Sequence, residues 1–312
     1  MKKSWCEKKE SAHIFFFKMS MLLVQEQDGV FEVNPKAKQW LQGLGSKEII
    51  VASIVGDYRT GKSAILSRLL PKAPSGKNNS FNVGQTVNAC TKGIHMSTTL
   101  LENPADPNTH ILMLDTEGLG APTAGRVHDT NIFVMTLLLT RVLMLNTKGT
   151  IDQKSLDTLR IVANIGNLLR ASAPSSSSSG QSKRKKVDAT EEQHANEDAL
   201  SELFPALVWI VRDFALDLVD PDGRKITAEQ YLENAIIDVP GQDVEKNETR
   251  RALRKLFPKR TCITMCRPAA DDEVLKNINS QPDSAIDPRF LEQIEALRRT
   301  IFMYSKRTGM TG

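Results

Sequence analysis

The sequence predicts an α/β fold: a mostly parallel central sheet with helices on both faces. Two observations carry this. Short segments that are nearly all apolar and rich in β-branched residues, such as Ile49-Ile50-Val51-Ala52-Ser53-Ile54-Val55, suit strands buried on both faces. They alternate with segments of helical spacing, the pattern of strands joined by helical crossovers.

In chain order, residues 22–24 read as an edge strand, 27–29 as a turn and 30–33 as a second short strand. Asn34 caps a short helix that opens on Pro35 and carries Trp40, Leu41 and Leu44 on one face. Residues 49–55 form the first buried strand, followed by a glycine-rich turn and a helix over 63–70. The second buried strand is 110–115, then come a helix at 132–139 and a third strand at 142–145. Helical periodicity runs over 151–169 through Leu156, Leu159, Ile161, Ala163 and Leu168, and 207–211 is the fourth strand. Helices at 227–235 and 247–256, a strand at 261–265 and a helix from Pro288 to about Phe302 complete the order.

These elements make one domain over residues 21–304. An N-terminal extension, 1–20, is expected to be flexible, and 305–312 is a C-terminal tail. One stretch breaks the alternation. Residues 171–199 hold a serine run at 175–179, the basic run Lys183-Arg184-Lys185-Lys186, then Glu191, Glu192, Glu197 and Asp198. With almost no large apolar side chain, this stretch cannot offset its ordering entropy, so its composition predicts a disordered insertion. The basic run reads as a solvated charge run and is also a candidate nuclear address.

Of 312 residues, 40% are hydrophobic and 25% charged, enough for a sizeable core. The net charge of +4 is mild and falls largely in that single run, so it does not argue for a nucleic-acid-binding surface, and no specific nucleic-acid partner is expected. Cys6, Cys90, Cys262 and Cys266 form no C-x-x-C pair and are too sparse for a disulfide framework, so a reducing, cytoplasmic setting is expected. The longest apolar run, 132–145, is broken by Arg141 and falls short of the roughly 20 residues of a membrane span. The basic and apolar residues at the N-terminus are interrupted by Glu7, Glu10 and Lys18, unlike a signal peptide.

Gly56-Asp57-Tyr58-Arg59-Thr60-Gly61-Lys62-Ser63 matches G-x-x-x-x-G-K-[ST]. The glycines let the chain turn tightly, so that backbone N–H groups point inward at phosphate oxygens. The following helix adds its positive end. Lys62 reaches the β- and γ-phosphates, and the Ser63 hydroxyl binds Mg²⁺. Its position between a buried strand and a helix separates this loop from a merely structural glycine turn.

A second element, Asp115-Thr116-Glu117-Gly118, ends an apolar strand. Asp115 is placed to hold magnesium through water, and Gly118 to present its N–H to a γ-phosphate without side-chain obstruction. Alone it would be weak, since Asp often caps a turn; downstream of a phosphate-binding loop it gains weight. Between the two elements, Thr86 and Thr91 are equal candidates by spacing for a further magnesium ligand. No N-K-x-D or T-K-x-D is present, and Asn146-Thr147-Lys148-Gly149 only half resembles one. Instead the strand 207–211 ends in Arg212-Asp213. A carboxylate there can accept two hydrogen bonds from guanine N1 and N2, a donor pair adenine lacks. On these residues alone an Arg–Asp surface pair is an equal reading.

Taken together, the pieces resemble the large GTPase domain of the guanylate-binding protein family, relatives of the atlastins within the dynamin superfamily. The matches are GDYRTGKS, TKG at 91–93, DTEGLG at 115–120, NTKGTID at 146–152, FPALVWIVRDFALDL at 204–218, ITAEQYL at 226–232 and LFPKRTC with the later Arg267-Pro268. They occur in order and span roughly 21–302. The resemblance implies a P-loop GTPase fold, GTP as substrate, Mg²⁺ as cofactor, and hydrolysis to GDP and in some members onward to GMP. It also implies a homodimer formed head to head through the nucleotide face.

The resemblance further implies roles for single residues. Asp213 reads guanine, and Thr91 rather than Thr86 is the magnesium ligand. Arg59 is an internal arginine finger, a device worth about 10³–10⁵ in rate. Glu117 helps move the proton of the attacking water, and Arg267 lies in a loop that covers the guanine and joins the dimer contact. The expected catalytic set is Arg59, Lys62, Thr91 and Glu117. The expected nucleotide contacts are Gly56, Asp57, Tyr58, Arg59, Thr60, Gly61, Lys62, Ser63, Ala64, Val83, Gly84, Asp115, Glu117, Gly118, Leu119, Arg212, Asp213 and Arg267. The expected metal ligands are Ser63, Thr91 and, through water, Asp115.

Two departures stand out. Many members carry a serine two residues before the magnesium threonine, where it orients the attacking water; this chain has Ala89. That favours an alternative reading as a GTP-dependent binding switch or scaffold with weak hydrolysis. The chain also stops about ten residues after its last predicted helix, without a C-a-a-X signal. Neither the family's C-terminal helical domain nor a membrane contact is expected from these residues.

Overall fold

The computed structural model describes residues 20–27, 29–72, 81, 91–120, 125–160 and 204–306. The chain opens with a hairpin of β1 (Ser20–Gln27) and β2 (Val30–Val33), paired antiparallel with Val24 opposite Val33. α1 (Pro35–Gln42) follows, with Asn34 Oδ1 accepting from the Lys36 N–H at 2.9 Å and Pro35 in the first turn, as expected.

Five strands form a parallel core: β3 (Glu48–Val55), β6 (Asp106–Thr116), β7 (Val142–Lys148), β8 (Ala206–Arg212) and β9 (Arg260–Met265). With the short antiparallel strands β4 (Ile94–Ser97) and β5 (Leu101–Asn103), the sheet has the order β2-β1-β4-β6-β3-β7-β8-β9, and β5 pairs with β6. β3 lies between β6 and β7, so the phosphate-binding turn that follows it sits at the middle of the sheet's carboxyl edge, where open α/β sheets bind ligands.

The two faces explain the unbroken apolar runs. Successive residues of a strand point to opposite faces, and here both faces are covered. Ala52, Ile54, Ile111, Met113, Met144, Val208 and Ile210 pack against α2 (Lys62–Leu69) and the long C-terminal α8 (Pro288–Ser305) through Ile65, Leu69, Phe290, Ile294, Leu297 and Ile301. Their neighbours Leu143, Leu145, Leu207, Trp209 and Val211 face the other way. They pack on α3 (Arg126–Leu139), α4 (Gln153–Thr158), α5 (Ala228–Ala235) and α6 (Val244–Leu256). A third cluster, around Leu23, Val24, Ile94, Met96, Leu112 and Leu114, seals the antiparallel flank beneath α1 and α3. α7 (Asp272–Lys276) is a short connector before α8.

The differences from the sequence reading are local. The true edge strand is β2; β1 lies inside, bonded to β2 and β4, because Leu23 and Val24 are core residues. β4 and β5 were not expected: segments this short carry no periodicity. α3 begins before the expected start at 132, with a first turn that is exposed or half-buried and mostly polar, so it carries no apolar periodicity. Of the periodic segment 151–169, α4 is described to Thr158, and the part beyond 160 lies outside the described residues, as do the insertion at 171–199 and residues 1–19. Ser20 belongs to β1 and α8 continues to Ser305, one residue past each expected boundary. Among the described residues no helix is long and apolar enough to cross a membrane.

Candidate nucleotide-binding site

β3 ends at Val55 and the chain turns at once. Gly56 has φ 144°, and a Cβ there would stand 2.1 Å from the Asn146 carbonyl oxygen, so only glycine fits. Gly61, at φ 79°, ends the turn and leads into α2, whose first turn has no side-chain cap. Its unpaired N–H groups and the positive helix end make an anion site. Lys62 opens the helix. Its side chain is buried, and Nζ donates to the carbonyls of Gly56 and Asp57, each at 3.1 Å. Burial pushes its pKa down, opposed by Asp115, Asp57 and Glu117.

β6 carries Asp115 to the same place. Asp115 Oδ2 accepts from Ser63 Oγ at 2.6 Å and from Thr91 Oγ1 at 3.2 Å. Its other oxygen, Oδ1, is buried with no hydrogen-bond partner among the described residues. Burial raises the carboxyl's pKa, while Lys62 and the two hydroxyls act against that. An orphaned carboxylate oxygen beside two hydroxyls is a donor set that fits Mg²⁺, a hard cation that takes oxygen ligands. Among the described residues no three His, Cys, Asp or Glu side chains gather as a metal site, so a cation here would draw on the Ser63 and Thr91 hydroxyls beside Asp115.

The residues after Asp115 lie against the phosphate-binding loop. Leu119 N–H donates to Gly56 O at 3.1 Å and Tyr58 N–H to Leu119 O at 3.0 Å. Gly118 comes so close to Tyr58 that a Cβ would meet its Cα at 2.2 Å. Glu117 is buried and tied to Gly93: its N–H donates to Gly93 O at 2.8 Å, and its Oε2 accepts the Gly93 N–H at 2.9 Å. Gly93 in turn has φ 71°, with its Cβ position 2.2 Å from Val24 O of β1. Thr91 is thus fixed through Gly93 between Glu117 and the hairpin strand.

Arg212 and Asp213 end β8. Arg212 is not a surface side chain: it is buried, its Nη1 donates to Thr60 O at 3.4 Å, and its guanidinium lies 5.5 Å from the Phe290 ring centre. Burial lowers its pKa, opposed first by Asp213. The same Thr60 carbonyl accepts from Asn146 Nδ2 at 3.0 Å. Asp213 has φ 54° and pairs with Lys148 Nζ at 3.2 Å. The two half-motifs of the sequence, Asn146-Thr147-Lys148-Gly149 and Arg212-Asp213, therefore stand side by side on the adjacent parallel strands β7 and β8.

A cavity of about 400 Å³ opens between the loop and α4, lined by Tyr58, Arg59, Lys148, Asp152, Lys154 and Thr158 among others. Lys62, Ser63 and Asp115 are not in its lining. Asp57, one of the expected contacts, is paired with Lys154 at 2.8 Å across this cavity. Arg59 is exposed beside it and held in the left-handed region at φ 65°. Arg267 is exposed, pairs with Asp272 and does not line the cavity. Val83, Gly84, Thr86 and Ala89 lie outside the described residues.

Sequence reasoning missed three participants. Asn146 and Lys148 were within reach, as half of a broken base-recognition motif. His128, which touches Glu117, gave no signal, because its partners come from distant segments.

A family model described as guanylate-binding protein, N-terminal domain, matches residues 28–309. Guanylate-binding protein 7 of Mus musculus is 34% identical over 288 residues, covering 91% of this chain and 42% of that protein. Guanylate-binding protein 1 of Chlorocebus aethiops is 33% identical over 299 residues, covering 94% and 46%. Guanylate-binding protein 3 of Homo sapiens is 32% identical over 298 residues, covering 94% and 46%. The chain spans less than half the length of these relatives.

Proposed function

The chain belongs to the guanylate-binding protein family, and on that premise we propose that it binds GTP with Mg²⁺ and hydrolyses it to GDP. One observation carries the reading: Ser63 and Thr91 converge on a single oxygen of Asp115 while the other oxygen is buried without a partner, next to the uncapped start of α2. The triphosphate is held by the N–H groups of the loop and by Lys62. Ser63 and Thr91 would hold Mg²⁺, with Asp115 acting through water, and the ion would supply neutralisation of phosphate charge. Asp213 accepts from the guanine N1 and N2 donors.

Hydrolysis breaks the bond between the γ-phosphorus and the bridging oxygen, whose electron pair leaves with GDP as water forms the new bond. Glu117 helps move the proton of the attacking water. Arg59 neutralises charge on the transferred group when two copies meet through their nucleotide faces; its exposure and its left-handed backbone are what support this role. Ala89 favours the second reading, a GTP-dependent switch with weak hydrolysis. Turnover measured against protein concentration, with products identified, tests both. A rate per molecule that climbs steeply with concentration supports the dimer-activated enzyme; a slow, concentration-independent rate with tight GTP binding supports the switch.

A further inference from the structure

His128, in the first turn of α3, has both ring nitrogens on carboxylates. Nδ1 meets Glu26 Oε2 of β1, and Nε2 lies 3.1 Å from Glu117 Oε2. The Phe31 ring of β2 stacks on the imidazole, with centres 6.0 Å apart and planes at 21°. The neighbouring acid, Asp129, is engaged elsewhere, accepting the Gly120 N–H at 2.8 Å. The charged groups facing His128 are therefore Glu26 and Glu117.

A neutral imidazole has one N–H and one lone pair, and a lone pair aimed at an ionised carboxylate repels it. Only the imidazolium donates to both. Burial opposes that charge, but the bonds to Glu26 and Glu117 outweigh it and raise the histidine's pKa. Glu117 gains the reciprocal benefit. The terminal torsion of a glutamate is broad, so one donor leaves the carboxylate free to swing. Here Oε2 takes two donors from different directions, the Gly93 N–H and His128, and Oε1 stays outside this network.

We infer that His128, braced by Glu26, is a positioning residue that fixes the Glu117 carboxylate for hydrolysis. This rests on the proposed GTPase reading. The brace ties the Glu117 loop to the hairpin by a side-chain bridge, in addition to the backbone contacts of Gly93.

The test is single-turnover GTP hydrolysis with Mg²⁺, alongside equilibrium GTP affinity, for wild type, His128→Ala, His128→Gln and Glu26→Gln. His128→Ala is expected to slow hydrolysis about tenfold to a hundredfold, the scale of a misplaced catalytic group, with GTP affinity within about twofold. Gln, which keeps one donor for Glu117, restores part of the rate. In wild type the rate falls as pH rises past the histidine's pKa. In Glu26→Gln that fall moves to lower pH, and in His128→Gln it disappears; a purely structural role would not move it. The ¹⁵N shifts of His128 in nucleotide-free protein give a reading independent of activity: both nitrogens stay protonated to higher pH in wild type than in Glu26→Gln. An active wild type with an equally active His128→Ala, or a ring that titrates no higher than an ordinary histidine, overturns the inference alone. A wild type that does not hydrolyse GTP overturns the GTPase reading and this inference with it.

Discussion

A Cβ on Gly118 would lie 2.2 Å from the Cα of Tyr58, with backbone rather than a movable side chain in the way. The loop after β6 and the phosphate-binding loop are therefore in backbone contact, joined also by the reciprocal bonds of Leu119 with Gly56 and Tyr58. Gly118→Ala must push the two loops apart. Overpacking of this kind costs about 1–3 kcal/mol. Thermal denaturation should show the loss, and GTP affinity should fall with it; a variant as stable as wild type would mean that the contact is loose.

Lys62→Ala should abolish GTP binding at micromolar nucleotide. It removes the ammonium that the loop carbonyls of Gly56 and Asp57 hold at the start of α2. Isothermal titration against GTP decides it, with circular dichroism confirming the fold. Retained affinity in a folded variant would remove the phosphates from this loop.

Asp213→Asn should lose selectivity for guanine. The amide turns a donor toward donors, leaving one pairing unmet at about 1–3 kcal/mol. Competition between GTP and xanthosine triphosphate reads the change, since xanthine carries a carbonyl where guanine has its amino group. Lys148 pairs with this carboxylate at 3.2 Å, so Lys148→Met should weaken GTP binding less than Asp213→Asn does.

Arg59→Ala should keep ground-state affinity and lose turnover, by about 10³-fold at protein concentrations where copies pair. In dilute protein the difference should shrink. Lys in its place should rescue little, because an ammonium lacks the planar fork of guanidinium. Equal rates for variant and wild type at high concentration would leave Arg59 an ordinary surface arginine.

Asp283 accepts from Lys72 at 2.6 Å and from Arg68 at 2.7 Å, tying the end of α2 to the segment before α8. The bond from Lys72 is the chief cause that holds its carboxyl below the ordinary aspartate value, with Arg68 adding to it. A carboxyl with a depressed folded pKa contributes stability that is complete above the unfolded value, about 4, and is lost as pH falls through the folded pKa. The gap in urea midpoint between wild type and Asp283→Asn should therefore be full at pH 6 and close as the pH falls below the unfolded value, about 4, and through the lower folded pKa. A gap independent of pH would assign the effect to shape instead.

The parallel strands and the phosphate loop were legible because their causes are local. Residues 49–55 are apolar because both faces of β3 are covered, and Gly56 and Gly61 are glycines because of φ and close approach. Asn34 and Pro35 announced α1 by the same local chemistry. What sequence could not give were partners set by topology. Arg212 reads as half of a surface pair until Thr60 and Phe290 are seen to enclose it. His128 acquires meaning only when β1 and the end of β6 are brought to either side of α3. β4 is so short that its place between β1 and β6 comes from tertiary pairing alone.

β7 and β8 pair in register from Val142 with Ala206 to Lys148 with Arg212, although residues 149–205 intervene. Closing a flexible connection costs free energy only as the logarithm of its length, about 0.6 kcal/mol for each doubling. The pairing rests on side chains buried on both faces of these strands, which outweigh such an increment many times over. The register of β7 with β8 is thus nearly indifferent to the length of chain that joins them. Residues added between the two strands would leave the Lys148–Asp213 pair at the strand ends where it is.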